Sequence, residues 1–289
     1  MKKRLVALVM TLCVAAALVV PAGAANSGSA EDLRYDITNR QEVKDNTTAS
    51  FDYASAYKWA EEVGFPDDFL KNISEESLQR VYYDNASADN LVIGYDTDNI
   101  LMGDNQPSVR AGNIGSNNME LRSFSVKHKN ANGKITKVII YFTAYWKPGK
   151  PAYRATDAII TNWDSTQWYF QDHSFWGRVE KVPNTSPDNT ATTVYSDSVP
   201  AKCLQGGLGW YAPLSYITQA YTPVIRIGYE LRPRNSNMPD GTTYTSSVTA
   251  TYGHKSIGIQ SISISGSGAS VTMSGQDYEM GAVCNIKHG

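Results

Sequence analysis

The sequence predicts a mainly-β fold, an antiparallel β-sandwich preceded by a short helical hairpin. Three observations predict it. Apolar residues recur with period two in long stretches after Asn85. Turn signals such as Asn132-Gly133 and Ser265-Gly266-Ser267-Gly268 break those stretches at short intervals. Helical spacing, by contrast, is confined to one region, residues 50–84. A closed barrel is the alternative architecture.

Taken in order, Lys2, Lys3 and Arg4 precede an apolar run from Leu5 to Val20, which ends in Ala22-Gly23-Ala24. This is the layout of a secretory signal peptide cleaved after Ala24, and the apolar run is shorter than the roughly 18–20 residues that span a bilayer. Residues 1–24 are therefore expected to be a signal peptide, the protein is expected to be extracellular, and no transmembrane segment is expected in the mature chain. Residues 25–49 are polar and without apolar period, which predicts a flexible leader. Ser50 or Asp52 can cap a helix carrying Tyr53, Tyr57 and Ala60, with Gly64 at its C-terminal turn and Pro66 beyond. Asp67-Asp68-Phe69-Leu70 reads as one further turn of helix. A second helix is expected from Ser74, with Glu75 and Glu76 at its positive end and Leu78, Val81 and Tyr82 on one face.

Residues 85–289 form the expected β-sandwich region. Asn132-Gly133 should join a strand near Phe124-Val126-His128 to one running from Val138 to Trp146. Val138, Ile140, Phe142, Ala144 and Trp146 fill one face of that second strand, while Ile139, Tyr141 and Tyr145 fill the other, so it should be central. Tyr221 to Pro233 alternates Ile225, Ile227, Tyr229 and Leu231 with Arg226, Glu230 and Arg232, which predicts one dry and one wet face. The loop 265–268 should set Ile264 opposite Ala269 and Ile262 opposite Val271, with a bulge near Gln260-Ser261. The turn-rich segment 183–200 is a candidate sub-boundary between two β halves.

Composition excludes some functions. The predicted signal carries three of the 26 basic residues and none of the 28 acidic ones, so the remainder has a net charge of −5. Dispersed negative charge lacks the basic stripe that nucleic acid requires. Cys203 and Cys284, the two cysteines beyond residue 24, read as one disulfide in an oxidising compartment. It would close a loop of about 80 residues, worth up to ~4.5 kcal/mol on the chain-entropy estimate.

No metal or cofactor is expected. His128, His173, His254 and His288 are scattered, and zinc, nucleophile-elbow and phosphate-loop spacings are missing. Asp96-Thr97-Asp98-Asn99 hints at calcium, but Ile100 and Leu101 stand where an oxygen ligand and glycine belong. Asp157, Asp164, Asp172 and Glu180, set among aromatics, are the acids a glycan-cleaving enzyme would use. Adjacent aromatics in Gln167-Trp168-Tyr169-Phe170 and Phe175-Trp176 must point to opposite strand faces. Trp163, Trp168, Trp176, Trp210 and Tyr211 are therefore the candidate ligand-binding residues, as platforms for sugar rings. The hydroxyl-rich strands after Tyr244 admit a membrane-active, pore-forming reading, although spanning needs ~9–11 residues per strand.

Phe65-Pro66-Asp67-Asp68-Phe69-Leu70 followed by Ile73-Ser74-Glu75-Glu76-Ser77-Leu78 resembles a helical segment of secreted β-rich proteins of Gram-positive bacteria. Tyr145-Trp146, Pro151, Arg154, Asp157 and Trp163 resemble a strand-loop-strand pattern from the same group. The resemblance implies export and a Gram-positive source, and no site residue. The sequence thus favours a secreted, non-catalytic binding or surface-interaction protein whose partner is a cell-surface glycan or protein. A membrane-active β protein and a glycan-cleaving enzyme are the alternatives.

Overall fold

A computed structural model of the chain describes residues 51–88, 90–96, 112–152, 154–186, 190–234, 245–255, 261–264, 271–274 and 278–287. All of them fall in the second of two compact units, Thr48–Gly289. The expected signal and leader, the acidic turn at 97–99, the bulge residue Gln260, the loop 265–268 and His288 lie outside the described residues.

Helix α1 (Tyr53–Val63) begins at Asp52, whose carboxylate accepts from the backbone N–H groups of Ala54 and Ser55 at 3.1 and 3.4 Å. It ends at Gly64, where φ is 94°, a left-handed conformation that a side chain would strain. There Gly64 N–H donates to Glu61 O and Phe65 N–H to Ala60 O, satisfying two carbonyls at the helix end. Helix α2 (Asp67–Leu70) and helix α3 (Glu75–Asn85) follow, the latter capped by Ser74, whose Oγ accepts from Ser77 N–H. Their inner side is apolar: Ala56, Ala60, Phe65, Phe69, Leu70, Ile73, Leu78 and Val81 are all buried.

One sheet contains β1 (Leu91–Asp96), β3 (Met119–Lys129), β4 (Ile135–Trp146), β11 (Tyr221–Pro233), β7 (Trp176–Pro183) and β8 (Thr192–Asp197), in that spatial order. Strand β6 (Trp168–Phe170) pairs with the far end of β11. The facing sheet runs β2 (Gly112–Asn113), β15 (Tyr278–Lys287), β12 (Thr245–His254), β5 (Thr156–Asn162), β10 (Gly207–Pro213) and β9 (Lys202–Leu204). A separate hairpin joins β13 (Ser261–Ile264) to β14 (Val271–Ser274). Pairing is antiparallel throughout, apart from β2 with β15. The architecture is the expected antiparallel β-sandwich with helices near its N-terminal side.

Two apolar layers hold it together. Between the sheets lie Val138, Ile140, Phe142, Ala144 and Trp146 of β4, with Ile225, Ile227, Tyr229 and Leu231 of β11 and Val248, Ala250 and Tyr252 of β12. On the opposite face of the first sheet, Ile139 and Tyr141 of β4 pack with Phe124, Val126 and Trp176 against the helices. Strand β4 is central and doubly buried, as its sequence predicts.

Three expectations are corrected. The polar face of β11 is dry over most of its length, with Arg226 fully buried against the helices and Glu230 nearly so, while Arg232 near the strand's end stays exposed. The terminal hairpin pairs Ile262 with Met273 and Ile264 with Val271, two positions away from the predicted register. The disulfide is not formed, and Cys203 and Cys284 are two thiols. They face the same core from β9 and β15, but β12, β5 and β10 lie between those strands. Four interstrand steps amount to about 19 Å in a flat sheet, against a Cα separation of about 4.4–6.8 Å in a disulfide. Burial, with the nearby charge of Asp172, pushes the Cys203 thiol up to about 12.

Candidate ligand-binding face

The four nominated tryptophans are structural. Trp163, Trp168, Trp176 and Trp210 are at most 4% exposed, so none presents a ring face to a ligand. The premise behind their selection holds, since adjacent aromatics do point to opposite faces. What the sequence hides is that both faces of the first sheet are covered over its central strands, leaving Tyr169 on β6 exposed. Trp163, Trp168 and Trp210 enter the inter-sheet core, while Trp176 enters the layer beneath the helices. Burying ~200 Å² of a tryptophan stabilises by about 5 kcal/mol at most, more than a stacked sugar would return. Glycines make the room. A Cβ on Gly177 would sit 2.6 Å from the Trp210 ring, and one on Gly228 would sit 2.5 Å from Trp176 Nε1. Tyr211 lies half-buried on the outer face of the second sheet, where its hydroxyl accepts from Ile262 N–H of the β13–β14 hairpin at 3.0 Å.

From Trp210, however, a ring ladder leads outward. Tyr195 stacks on Trp210 with ring centroids 6.2 Å apart and planes 26° apart. Tyr216 stacks on Tyr195 at 5.9 Å and 8°. Tyr216 is 61% exposed, Tyr195 half-buried and Trp210 buried, so the ladder runs from core to solvent. Local structure aims each ring. A β-bulge in the β7–β8 pair sets Val179 opposite Tyr195 and Glu180 opposite Thr193, leaving Val194 as the extra residue. Val194 and Tyr195 consequently both pack on the inter-sheet core, which an unbroken strand would not permit. Tyr216 ends the 3-10 turn Leu214–Tyr216, anchored by buried Leu214 and Ile217.

Two cations meet at Tyr221, five residues after Tyr216. Lys181 Nζ lies 4.7 Å from the Tyr221 ring centroid. Arg154 donates to the carbonyl oxygens of Tyr221, at 2.7 Å, and Thr218, clamping the segment that carries Tyr216. A second aromatic cluster, Phe51, Trp59, Tyr82 and Tyr83, lies on the helices, and Tyr83 is 45% exposed. Its rings meet at 49–80°, so they offer edges rather than a common plane.

The nominated acids serve separate networks. Asp157 is fully buried and accepts from Tyr252 Oη at 2.6 Å, with His254 Nδ1 2.8 Å away and Trp146 Nε1 donating onward to Tyr252. Burial pushes its carboxyl above the ordinary carboxylate range, and the bonds from His254 and Tyr252 pull it back. Glu180 pairs with Arg226 at 2.9 Å and accepts from Ser74 and Ser77. Asp164 holds its own turn through Thr166 and Gln167, with its carboxyl kept low by those bonds. Asp172 is exposed. Sequence reasoning missed Tyr195 and Tyr216. The only signal for them was a tyrosine in the short loop after Pro213 and another in the segment taken for a boundary.

No protein-family model matches the chain, and no curated protein matches it. Among solved structures, it is similar to the collagen-binding domain of a Staphylococcus aureus adhesin, at 10% identity and a TM-score of 0.29, over 52% of this chain and 89% of that one. It is similar to the collagen-binding subdomain of the Enterococcus faecalis surface protein ACE, at 10% identity and 0.28, over 55% and 92%. The T6 backbone pilin of Streptococcus pyogenes gives 14% and 0.31, over 57% of this chain and 36% of that one. Scores of this size carry no argument about ligand or partner.

Proposed function

We propose that this chain is an extracellular, non-catalytic binding module that holds carbohydrate on the Tyr195–Tyr216 stack. The observation that carries the reading is the ladder itself: two tyrosines stacked with nearly parallel planes, one mostly in solvent, held from below by a tryptophan in the core. A sugar ring stacks its C–H face on such a plane, and a ring already held in place loses little conformational freedom on binding. The signal-like layout of residues 1–24 supports a location outside the cytoplasm. The partner is accordingly a surface glycan rather than a cytoplasmic metabolite.

The test is a glycan array followed by titration calorimetry. Tyr216→Ala should weaken binding about tenfold while lowering the melting temperature only slightly, because the ring is mostly exposed and loses only its stack on Tyr195. Trp168→Ala should unfold the protein rather than selectively remove binding. A flat array for a folded wild-type protein would sink the reading.

A further inference from the structure

We infer that the glycan this face takes is acidic, a uronate or sulfated chain, with Lys181 as its charge-recognising residue; this rests on the carbohydrate reading above. On β7, Val179 and Lys181 occupy successive positions on the core-facing side of the first sheet. Val179 is paired with Tyr195 of β8, while Lys181 is paired with Thr192 of β8 and Pro223 of β11. Lys181 is therefore the cross-strand diagonal neighbour of Tyr195 at the end of the sandwich where Tyr216 and Tyr221 emerge.

Its ammonium lies over the Tyr221 ring at 4.7 Å, and no carboxylate pairs with it among the described residues. Arg154 is in the same condition, its guanidinium bonded to the Thr218 and Tyr221 carbonyls rather than to an acid. Several other described cations are paired with acids: Lys58 with Glu62, Arg80 with Asp84, Arg122 with Asp68 and Glu120, Lys137 with Glu230, Arg226 with Glu180. Asp197 accepts from the Tyr195 hydroxyl at 3.4 Å. An exposed tyrosine face, with Lys181 diagonal to the ring beneath it and Arg154 on the Thr218 and Tyr221 carbonyls that follow it in the chain, complements a sugar bearing a carboxylate or sulfate. Lys181 is half-buried, and its contact with the Tyr221 ring leaves the ammonium charged, since a cation–π contact does not neutralise it.

The experiment pairs uronate-containing and sulfated oligosaccharides with their carboxyl-reduced and desulfated counterparts, and adds poly-glutamate as a peptide polyanion. Wild type should prefer each acidic sugar over its neutral counterpart by about three- to fivefold at low salt, and the preference should shrink as salt screens it. Lys181→Gln should abolish the preference and leave neutral-sugar binding and the melting temperature intact. Lys181→Arg should restore it. Equal binding of acidic and neutral sugars, unchanged in Lys181→Gln, overturns the inference while the carbohydrate reading stands. Binding to no sugar at all overturns both. Poly-glutamate binding as tight as the acidic sugars, and independent of Tyr216, overturns the inference in favour of an acidic protein partner.

Discussion

Arg226 shows how much one residue can hold. Its guanidinium donates to Glu180 at 2.9 Å, to the carbonyls of Phe69 and Lys71 at 2.8 and 3.2 Å, and to Tyr145 Oη at 2.8 Å. It also lies over the rings of Phe69 and Tyr145. One cation thereby joins the first sheet to helix α2, while Glu180 takes the Ser74 and Ser77 hydroxyls at the start of α3. Arg226→Ala, which leaves Glu180 buried and uncompensated, should cost about 3–5 kcal/mol in urea denaturation, and replacing both by apolar residues of similar volume should cost much less. His128 offers a pH test. Burial first, then the charge of Lys137, lowers it to about 4, with its Nε2 2.9 Å from Asn85 Oδ1. A histidine depressed in the folded state contributes stability above its unfolded value near 6.5, and that stability is lost as pH falls from there towards 4. The urea midpoint of wild type should therefore fall more steeply over that window than that of His128→Gln, whose side chain does not titrate. Parallel curves would refute the assignment. None of these pairings was legible in the sequence: 46 positions separate Arg226 from Glu180, and alternation marks a polar residue without naming what covers it.

At the scale of elements, the legible features are those whose determinants are local. Asp52, Gly64 and Ser74 cap helices through bonds within a few residues, and Gly133, with φ 77°, turns the β3–β4 hairpin where Asn132-Gly133 predicts it. Strand β4 announced its central place by being apolar on both faces. The wet face assigned to β11 and an outward Trp176 failed because the helices of residues 53–85 cover them, while Trp163, Trp168 and Trp210 lie under the second sheet; both covers come from far away in sequence. The bulge that exposes the Tyr195 ladder is likewise invisible, since it depends on how β8 meets β7. Gly177→Ala tests that packing directly. Its new methyl group would meet the Trp210 ring at 2.6 Å with both strands fixed, so the variant should lose about 1–3 kcal/mol of stability. It should also disturb the near-ultraviolet signal of the tryptophans and weaken ligand binding, because Trp210 is the foot of the ladder. An unaltered spectrum at full stability would show that Trp210 is free to move aside.

For the whole molecule, the helices and the two sheets share continuous packing, so the region from α1 to β15 should unfold in one cooperative transition. Fold class was legible because period-two patterning is a global property of the chain. Site geometry was not, because it depends on which faces remain uncovered once every layer has packed. The thiols provide the test at this scale. Alkylation in denaturant without reductant should add two adducts, at Cys203 and Cys284, whereas in the native state buried Cys284 should stay unmodified. Zero adducts from the native, unreduced protein after denaturation would mean that the sulfurs are joined and the strand order is wrong.

The spacing of those sulfurs bears on how the chain must mature. If oxidant reaches it before β10, β5 and β12 have assembled between the two cysteines, the bond that closes is incompatible with the finished sheet and becomes a kinetic trap. Refolding yield should then decline with the time spent unfolded under air and recover when a thiol reductant is present. A chain built this way gains by folding faster than it oxidises.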